Sequence, residues 1–119
     1  MYFFDTYAII EIIKENKAYV KYSQEILTTS ILNFGELYYA LLRDFNEAIA
    51  NEWRRKLEQS LMLVDADIIA KAMLFKHKHK SKNFSFIDCV GYTLAKENGL
   101  VFLTGDKEFE DLDNVEYVK

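Results

Sequence analysis

The stretch SFIDCVGYTLAKENGLVFLTGD, residues 85–106, decides the fold class. Ser85 opens a segment of helical character that runs to Asn98 and stops at Gly99, a residue suited to the position just past a helix C-terminus. Leu100–Thr104 follows as a short, continuously apolar run, and Asp106 comes directly after it. A helix that feeds a continuously apolar strand belongs to a parallel sheet covered on both faces. The same order of signals stands at the N-terminus. Tyr2-Phe3-Phe4 is an apolar strand that stops at Asp5, and Ala8, Ile9, Ile12 and Ile13 then recur at helical spacing.

The intervening chain alternates in the same way. After the polar break Lys14–Lys17, Ala18–Ser23 reads as a short helix. Glu25–Ser30, with Ile26, Leu27, Thr28 and Thr29, reads as a second strand. Asn33 to Ala50 is expected to be one long helix with Phe34, Leu37, Tyr38, Leu41 and Phe45 on one stripe. Glu52–Leu57 either extends it or forms a helix of its own. Leu61–Val64 is a third strand, and Asp65–Lys80 a helix through Ile68, Ile69, Ala72 and Phe75. Asp106–Phe109 is a helical turn and Val115–Val118 a last strand. The expected architecture is a three-layer α/β/α fold with a central parallel sheet of four to five short strands, residues 1–119 forming one domain. No internal repeat or low-complexity tract interrupts it.

Composition agrees. Half of the 119 residues are hydrophobic, enough for one core, whereas two domains would each fall near the lower size limit. With no proline and four glycines, flexible linkers are not expected. A charged fraction of 29% excludes a disordered tail protein. The net charge of −4 excludes a strongly basic nucleic-acid coat but leaves room for local basic patches. No run reaches the about 18 apolar residues that a membrane span needs. Met1–Ile13 carries Asp5 and Glu11 without a basic start, unlike a signal peptide. The lone Cys89 cannot form an internal disulfide. A cytoplasmic location is expected.

In parallel α/β sheets, ligands bind beyond the carboxyl ends of the strands. Four acids fall at or near that edge. Asp5 ends the first strand and Asp106 follows the fourth, while Asp88 and Glu36 stand in the first turns of helices that adjoin strands. Each has an ordinary reading as well: Asp5 as a helix N-cap, Asp88 in a capping box with Ser85, Asp106 as the cap of the last turn, and Glu36 as a solvated helix residue roughly 200° from Phe34. Their joint placement is what points to chemistry. Several carboxylates without a cation cannot all stay ionised together, so they need a proton or a metal. Hard oxygen donors select Mg²⁺ or Mn²⁺, which can polarise a phosphoryl oxygen and activate water.

Four segments in order then carry a resemblance: Tyr2-Phe3-Phe4-Asp5-Thr6, Asn33-Phe34-Gly35-Glu36-Leu37, Ser85-Phe86-Ile87-Asp88-Cys89 and Leu103-Thr104-Gly105-Asp106-Lys107-Glu108-Phe109. Together with Asn114–Val118 they resemble the PIN domain family, in particular its small single-domain VapC-type toxins. The resemblance covers the whole chain. It implies a metal-dependent ribonuclease, with Asp5, Glu36, Asp88 and Asp106 as the acidic quartet and Thr6 and Thr104 as supporting hydroxyls. It also implies a homodimer and a cognate antitoxin protein as partner. Three residues depart from the family pattern. Tyr7 stands where a small polar residue is usual, Gly105 where Asn or Arg is common, and Cys89 where Ala is common.

Other residues add expectations. Lys76, Lys78, Lys80 and Lys82, interleaved with His77 and His79, could flank the acidic site and meet the RNA backbone, or simply form a solvated helix end. Arg54, Arg55 and Lys56 are a second basic cluster. Tyr38, Tyr39, Phe45 and Trp53 are mostly expected in the core, with some left for a homodimer face or an antitoxin groove. The expected function is a Mg²⁺- or Mn²⁺-dependent endoribonuclease, the toxin of a type II toxin–antitoxin pair. The alternatives are a PIN-type nuclease of RNA maturation and a catalytically silent protein-binding module. A receiver-type phosphotransfer domain ranks below these, because only Asp5 stands where that fold carries two adjacent acids.

Overall fold

The computed structural model describes residues 1–119. Its strands are β1 (Tyr2–Phe4), β2 (Thr29–Ser30), β3 (Leu61–Met62), β4 (Val101–Thr104) and β5 (Val115–Tyr117), and all pairings are parallel. β4 lies between β1 and β5, with Phe3 opposite Phe102 and Phe4 opposite Leu103. β2 pairs separately with β3. The strands are thus as short and as parallel as expected, but they form a three-stranded sheet and a two-stranded pair instead of one continuous sheet. The join between the two parts is local: the Phe4 N–H donates to the Thr28 carbonyl at 2.8 Å, and the Thr29 hydroxyl donates to the Phe4 carbonyl at 2.7 Å.

Side chains alternate across a strand, and here the alternation builds two cores. Phe3 and Phe102 point to one face, where they pack with Phe84, Cys89, Val90 and Phe109 beneath α4 (Ala66–Lys78) and α5 (Phe86–Glu97). Phe4 and Leu103 point to the other, where they meet Ile9, Tyr19, Leu37 and Leu57 from α1 (Thr6–Ile13), a 3-10 segment (Lys17–Gln24), α2 (Ile31–Asp44) and α3 (Glu47–Leu57). That is the three-layer arrangement. α5 is its most enclosed helix, with every residue from Cys89 to Ala95 buried. Gly91 permits this approach, since a Cβ there would stand 3.0 Å from Phe3 Cε1 and 3.2 Å from Phe102 Cε1. Gly99, at φ 67°, takes the left-handed position that ends α5.

Two expectations change. The long helix over Asn33–Ala50 starts earlier, at Ile31, and is cut in two at Phe45, whose φ of −130° and ψ of −105° leave the helical region. The next residue explains the break. Asn46 turns its side chain to accept the Ile49 N–H at 2.9 Å and so caps a new helix, a role asparagine favours over a helix interior. Phe45 consequently sits exposed and not on the core stripe, and Tyr39 is exposed as well. The strand expected over Glu25–Ser30 shortens to Thr29–Ser30, with Ile26 out in solvent, and that over Leu61–Val64 shortens to Leu61–Met62, with Leu63 exposed. No helix is long and apolar enough to cross a membrane.

Candidate active site

The strands lie across the molecule in the order β3, β2, β1, β4, β5, so chain order reverses between β1 and β4. Adjacent parallel strands whose connections leave in opposite directions open a crevice at their carboxyl ends. Asp5 follows β1 there and Asp106 follows β4.

Asp5 is 2% exposed and caps α1. One carboxylate oxygen accepts the Thr6 N–H at 2.9 Å and the other accepts the Thr104 hydroxyl at 2.7 Å. The Thr104 oxygen in turn accepts the Asp106 N–H at 3.0 Å. One buried hydroxyl therefore ties the ends of both strands and sets the two acids relative to each other. Asp106 caps the 3-10 turn Lys107–Phe109 by accepting the Glu108 N–H at 3.0 Å. Asp88 forms a complete capping box at the start of α5: its carboxylate accepts the Ser85 N–H at 3.0 Å, and its own N–H donates to the Ser85 hydroxyl at 3.1 Å. The capping readings of these three acids therefore hold. Capping holds each carboxylate in a fixed orientation beside the crevice.

Glu36 reaches the crevice differently. α2 begins at Ile31, capped by the Ser30 hydroxyl, so Glu36 lies in its second turn, exposed, and not in its first. It shares a helix face with Tyr39, Ala40 and Arg43 at offsets of three, four and seven residues. With Asp5, Asp88 and Asp106, these side chains line one cleft of about 330 Å³. All four predicted acids come together in it. A larger cavity of about 470 Å³ lies against α4 and α5, but Lys71 and Lys96 on its wall are engaged by Glu97 and Asp113.

The electrostatics of the cleft are those of uncompensated negative charge. No Lys, Arg or His lies within ion-pair distance of the four acids, and Arg43 pairs with Asp44 at 2.9 Å. Burial first, then the charges of Asp88 and Glu36, push the Asp5 carboxyl up to about 7 against the lowering effect of its hydrogen bonds. Burial, with contributions from Asp106 and Glu36, also raises Asp88. As the side chains lie, no three of them close into a ready-made metal group; they line the walls of the cleft instead. The donor set nonetheless fits a hard divalent cation: all donors are carboxylate oxygens, none has a basic partner, and burial and acidic neighbours hold the most buried one well above the usual carboxylate range.

The lysine run is not in the cleft. Lys76, Lys80 and Lys82 line a separate groove with Met73 and His77, and Lys78 faces the cavity against α4 and α5. The run still borders the acidic edge. Lys76 donates to the Phe84 carbonyl, while Lys82 and the Asn83 N–H reach Glu108 just past Asp106.

Several contributors were not singled out from sequence. Asn33 is buried, accepts the Ser30 hydroxyl at 2.6 Å and donates to the Thr6 hydroxyl at 3.0 Å, joining α2 to the start of α1 under the cleft. Arg43 lines its wall, beside Tyr39, an aromatic expected in the core or at a partner face and found instead in the cleft. Arg43 had a legible signal, since it stands two helical turns after Glu36 on the same stripe.

A family model described as the PIN domain matches residues 2–115, and the chain belongs to that family. Solved structures share the fold at low identity. VapC20 of Mycobacterium tuberculosis, a sarcin–ricin loop cleaving toxin, aligns with a TM-score of 0.81 and 18% identity over 100% of both chains. A toxin–antitoxin complex from Klebsiella pneumoniae gives 0.81 and 16%, covering 98% of this chain and 96% of that one. VapBC-1 from nontypeable Haemophilus influenzae gives 0.71 and 17%, covering 98% and 95%. A search of curated proteins finds no match.

Proposed function

We propose that this PIN-domain chain is a divalent-metal-dependent endoribonuclease that hydrolyses RNA phosphodiester bonds and acts as the toxin of a type II toxin–antitoxin pair. The observation that carries the reading is the cleft at the strand-order reversal, where Asp5, Glu36, Asp88 and Asp106 gather with no basic partner. Family membership supports it, because PIN nucleases generally use divalent metal ions. The fold neighbours that are toxins, or complexes of toxins with antitoxins, support the toxin role and an antitoxin partner.

In this reading Asp5, Asp88 and Asp106 would hold Mg²⁺ or Mn²⁺, with Glu36 either completing the ligand set or orienting a water. A bound ion would supply Lewis-acid polarisation of a phosphoryl oxygen and a hydroxide-like water at neutral pH. The chain's own part is positioning. The Thr6 N–H and the Thr104 hydroxyl clamp Asp5 through its two oxygens, and Ser85 clamps Asp88, so these two carboxylates are fixed in orientation and the other acids close on them to share an ion; the Thr6 hydroxyl itself goes to Asn33 and not to Asp5. Glu36, the exposed member, is the acid able to swing toward an attacking water and take up its proton. Lys76, Lys80 and Lys82 lie beyond the rim, where they can meet flanking phosphates without neutralising the carboxylates.

The test is cleavage of a mixed single-stranded and structured RNA pool with Mg²⁺, Mn²⁺ or EDTA, using the wild type, Asp5→Asn and Asp88→Asn. Cleavage that requires both the metal and the two carboxylates is expected. Full cleavage in EDTA, or by a folded Asp5→Asn chain, overturns the assignment. Expression without a partner protein separates the toxin role from RNA maturation, since only a toxin arrests growth.

A further inference from the structure

Gly105 is buried, and its backbone is not in the left-handed region, so conformation does not demand glycine there. Space does. A Cβ on residue 105 would stand 2.1 Å from Tyr7 Cε1 and 2.6 Å from the Tyr19 hydroxyl oxygen. The edge of the Tyr7 ring fills the place where a side chain at 105 would begin. The two departures from the family pattern are therefore one feature, a large residue at position 7 matched by none at position 105.

The ring is not consumed by the core. Tyr7 is 43% exposed and lines the acidic cleft, where it stands one helical residue beyond Thr6 and two beyond Asp5. Tyr19 packs behind it and is anchored, donating its hydroxyl to the Val118 carbonyl at 2.6 Å. The α2 wall of the cleft offers a second aromatic, Tyr39, 65% exposed, with the Arg43 guanidinium 6.0 Å from its ring centre. Aromatic faces beside a phosphate-directed site are what unstacked bases bind, and bases inside a duplex cannot present their faces to them.

We propose that Tyr7, seated over Gly105, is a stacking platform for one unpaired base next to the scissile phosphate. This rests on the nuclease reading above and deepens it. Tyr7 acts here as a specificity-determining residue; it takes no part in the bond-breaking step. Its selectivity is for an available base face and tolerates base identity, because every base has one.

The experiment measures binding of a fluorescein-labelled single-stranded oligoribonucleotide by anisotropy, in Ca²⁺ buffer, with intact oligonucleotide length verified by gel. A set of oligonucleotides carries one abasic nucleotide at successive positions. For the wild type, one abasic position should weaken binding roughly 5- to 150-fold, the range expected for one base–aromatic stack. Tyr7→Leu should bind the intact oligonucleotide more weakly by a similar factor and be indifferent to that abasic position. Tyr7→Phe, which keeps the ring, should behave as wild type. Gly105→Ala, which expels the ring without altering it but also presses on the Tyr19 hydroxyl, should behave as Tyr7→Leu, with circular dichroism confirming the fold of each variant. The proposal is overturned if Tyr7→Leu binds as tightly as wild type or tighter, or if the abasic penalty persists in it. A wild type that cleaves with metal yet ignores every abasic position overturns this inference alone, whereas one that neither binds nor cleaves RNA overturns the nuclease reading with it.

Discussion

Replacing Asp5 by Asn should invert the usual expectation that a buried, hydrogen-bonded carboxylate stabilises the protein at neutral pH. The Asp5 carboxyl is raised from an ordinary 3.8 to about 7, chiefly by burial and then by Asp88 and Glu36. The native state therefore keeps a proton that the unfolded chain releases between those values. Stability falls with pH wherever the native state binds more protons than the unfolded one. Asp5's contribution is fully present below about pH 4 and is lost as pH rises through about 7. At about 1.4 kcal/mol per pH unit, the span from 3.8 to about 7 amounts to about 4 kcal/mol for the metal-free chain. Asp88, also raised, adds in the same direction. Asn cannot ionise. In EDTA at constant ionic strength, urea denaturation of Asp5→Asn should lack this loss, so that variant minus wild-type stability climbs by up to about 4 kcal/mol between pH 4 and pH 8. The difference cancels the titrating groups remote from the cleft, while Asp88 and Glu36, whose charges act on Asp5, are relieved by the same substitution. Below pH 4 the variant should be the weaker by about 1 kcal/mol, because an amide cannot accept from both Thr6 and Thr104. Adding Mg²⁺ at pH 8 should stabilise the wild type and leave the variant unmoved. Parallel pH profiles for the two chains would refute the reasoning, since the acid would then carry no penalty in the cleft.

Other expected outcomes test neighbouring links. Thr104→Val keeps shape but leaves a buried Asp5 oxygen without its donor; a loss of about 1–3 kcal/mol in denaturant midpoints is expected, with Asp5 raised further and the rising limb of the cleavage–pH profile moved to higher pH. Asn33→Ala strands the Thr6 and Ser30 hydroxyls beneath the cleft and should cost about 2 kcal/mol, while Asn33→Asp should recover only part of it. Gly91→Ala drives a methyl against Phe3 and Phe102, and thermal melts should show about 1–3 kcal/mol of destabilisation with cleavage per folded molecule unchanged.

The same hydrogen bonds that end strands and start helices also present the acids. Asp5, Asp88 and Asp106 are all capping residues, and each accepts a backbone N–H that points into the cleft's edge. A cap needs its oxygen in one place, and so does a metal ligand. This shared requirement is why the site was readable: an Asp straight after an apolar strand, or three residues after a Ser, is visible as a local pattern. Glu36 and Arg43 were harder, because a helix face exposes several polar residues and only the packing of α2 against α1 decides which of them border the cleft.

The amino-acid sequence by itself determined the alternation of strands and helices, the continuous apolar strands Tyr2–Phe4 and Leu100–Thr104, and the four acids at their ends. These follow from side-chain periodicity and capping, which act within a few residues. Tertiary structure alone decided where the long helix breaks, since Asn46 is neutral in a pattern of apolar spacing and becomes a cap only when α3 must turn back over the core. It also decided how the five strands divide, where the lysine run lies relative to the carboxylates, and that Tyr7 and Gly105 are one feature. Each of these depends on groups far apart in the chain meeting at van der Waals distance. Residues 7 and 105 became neighbours only because β1 and β4 pair in parallel and end side by side.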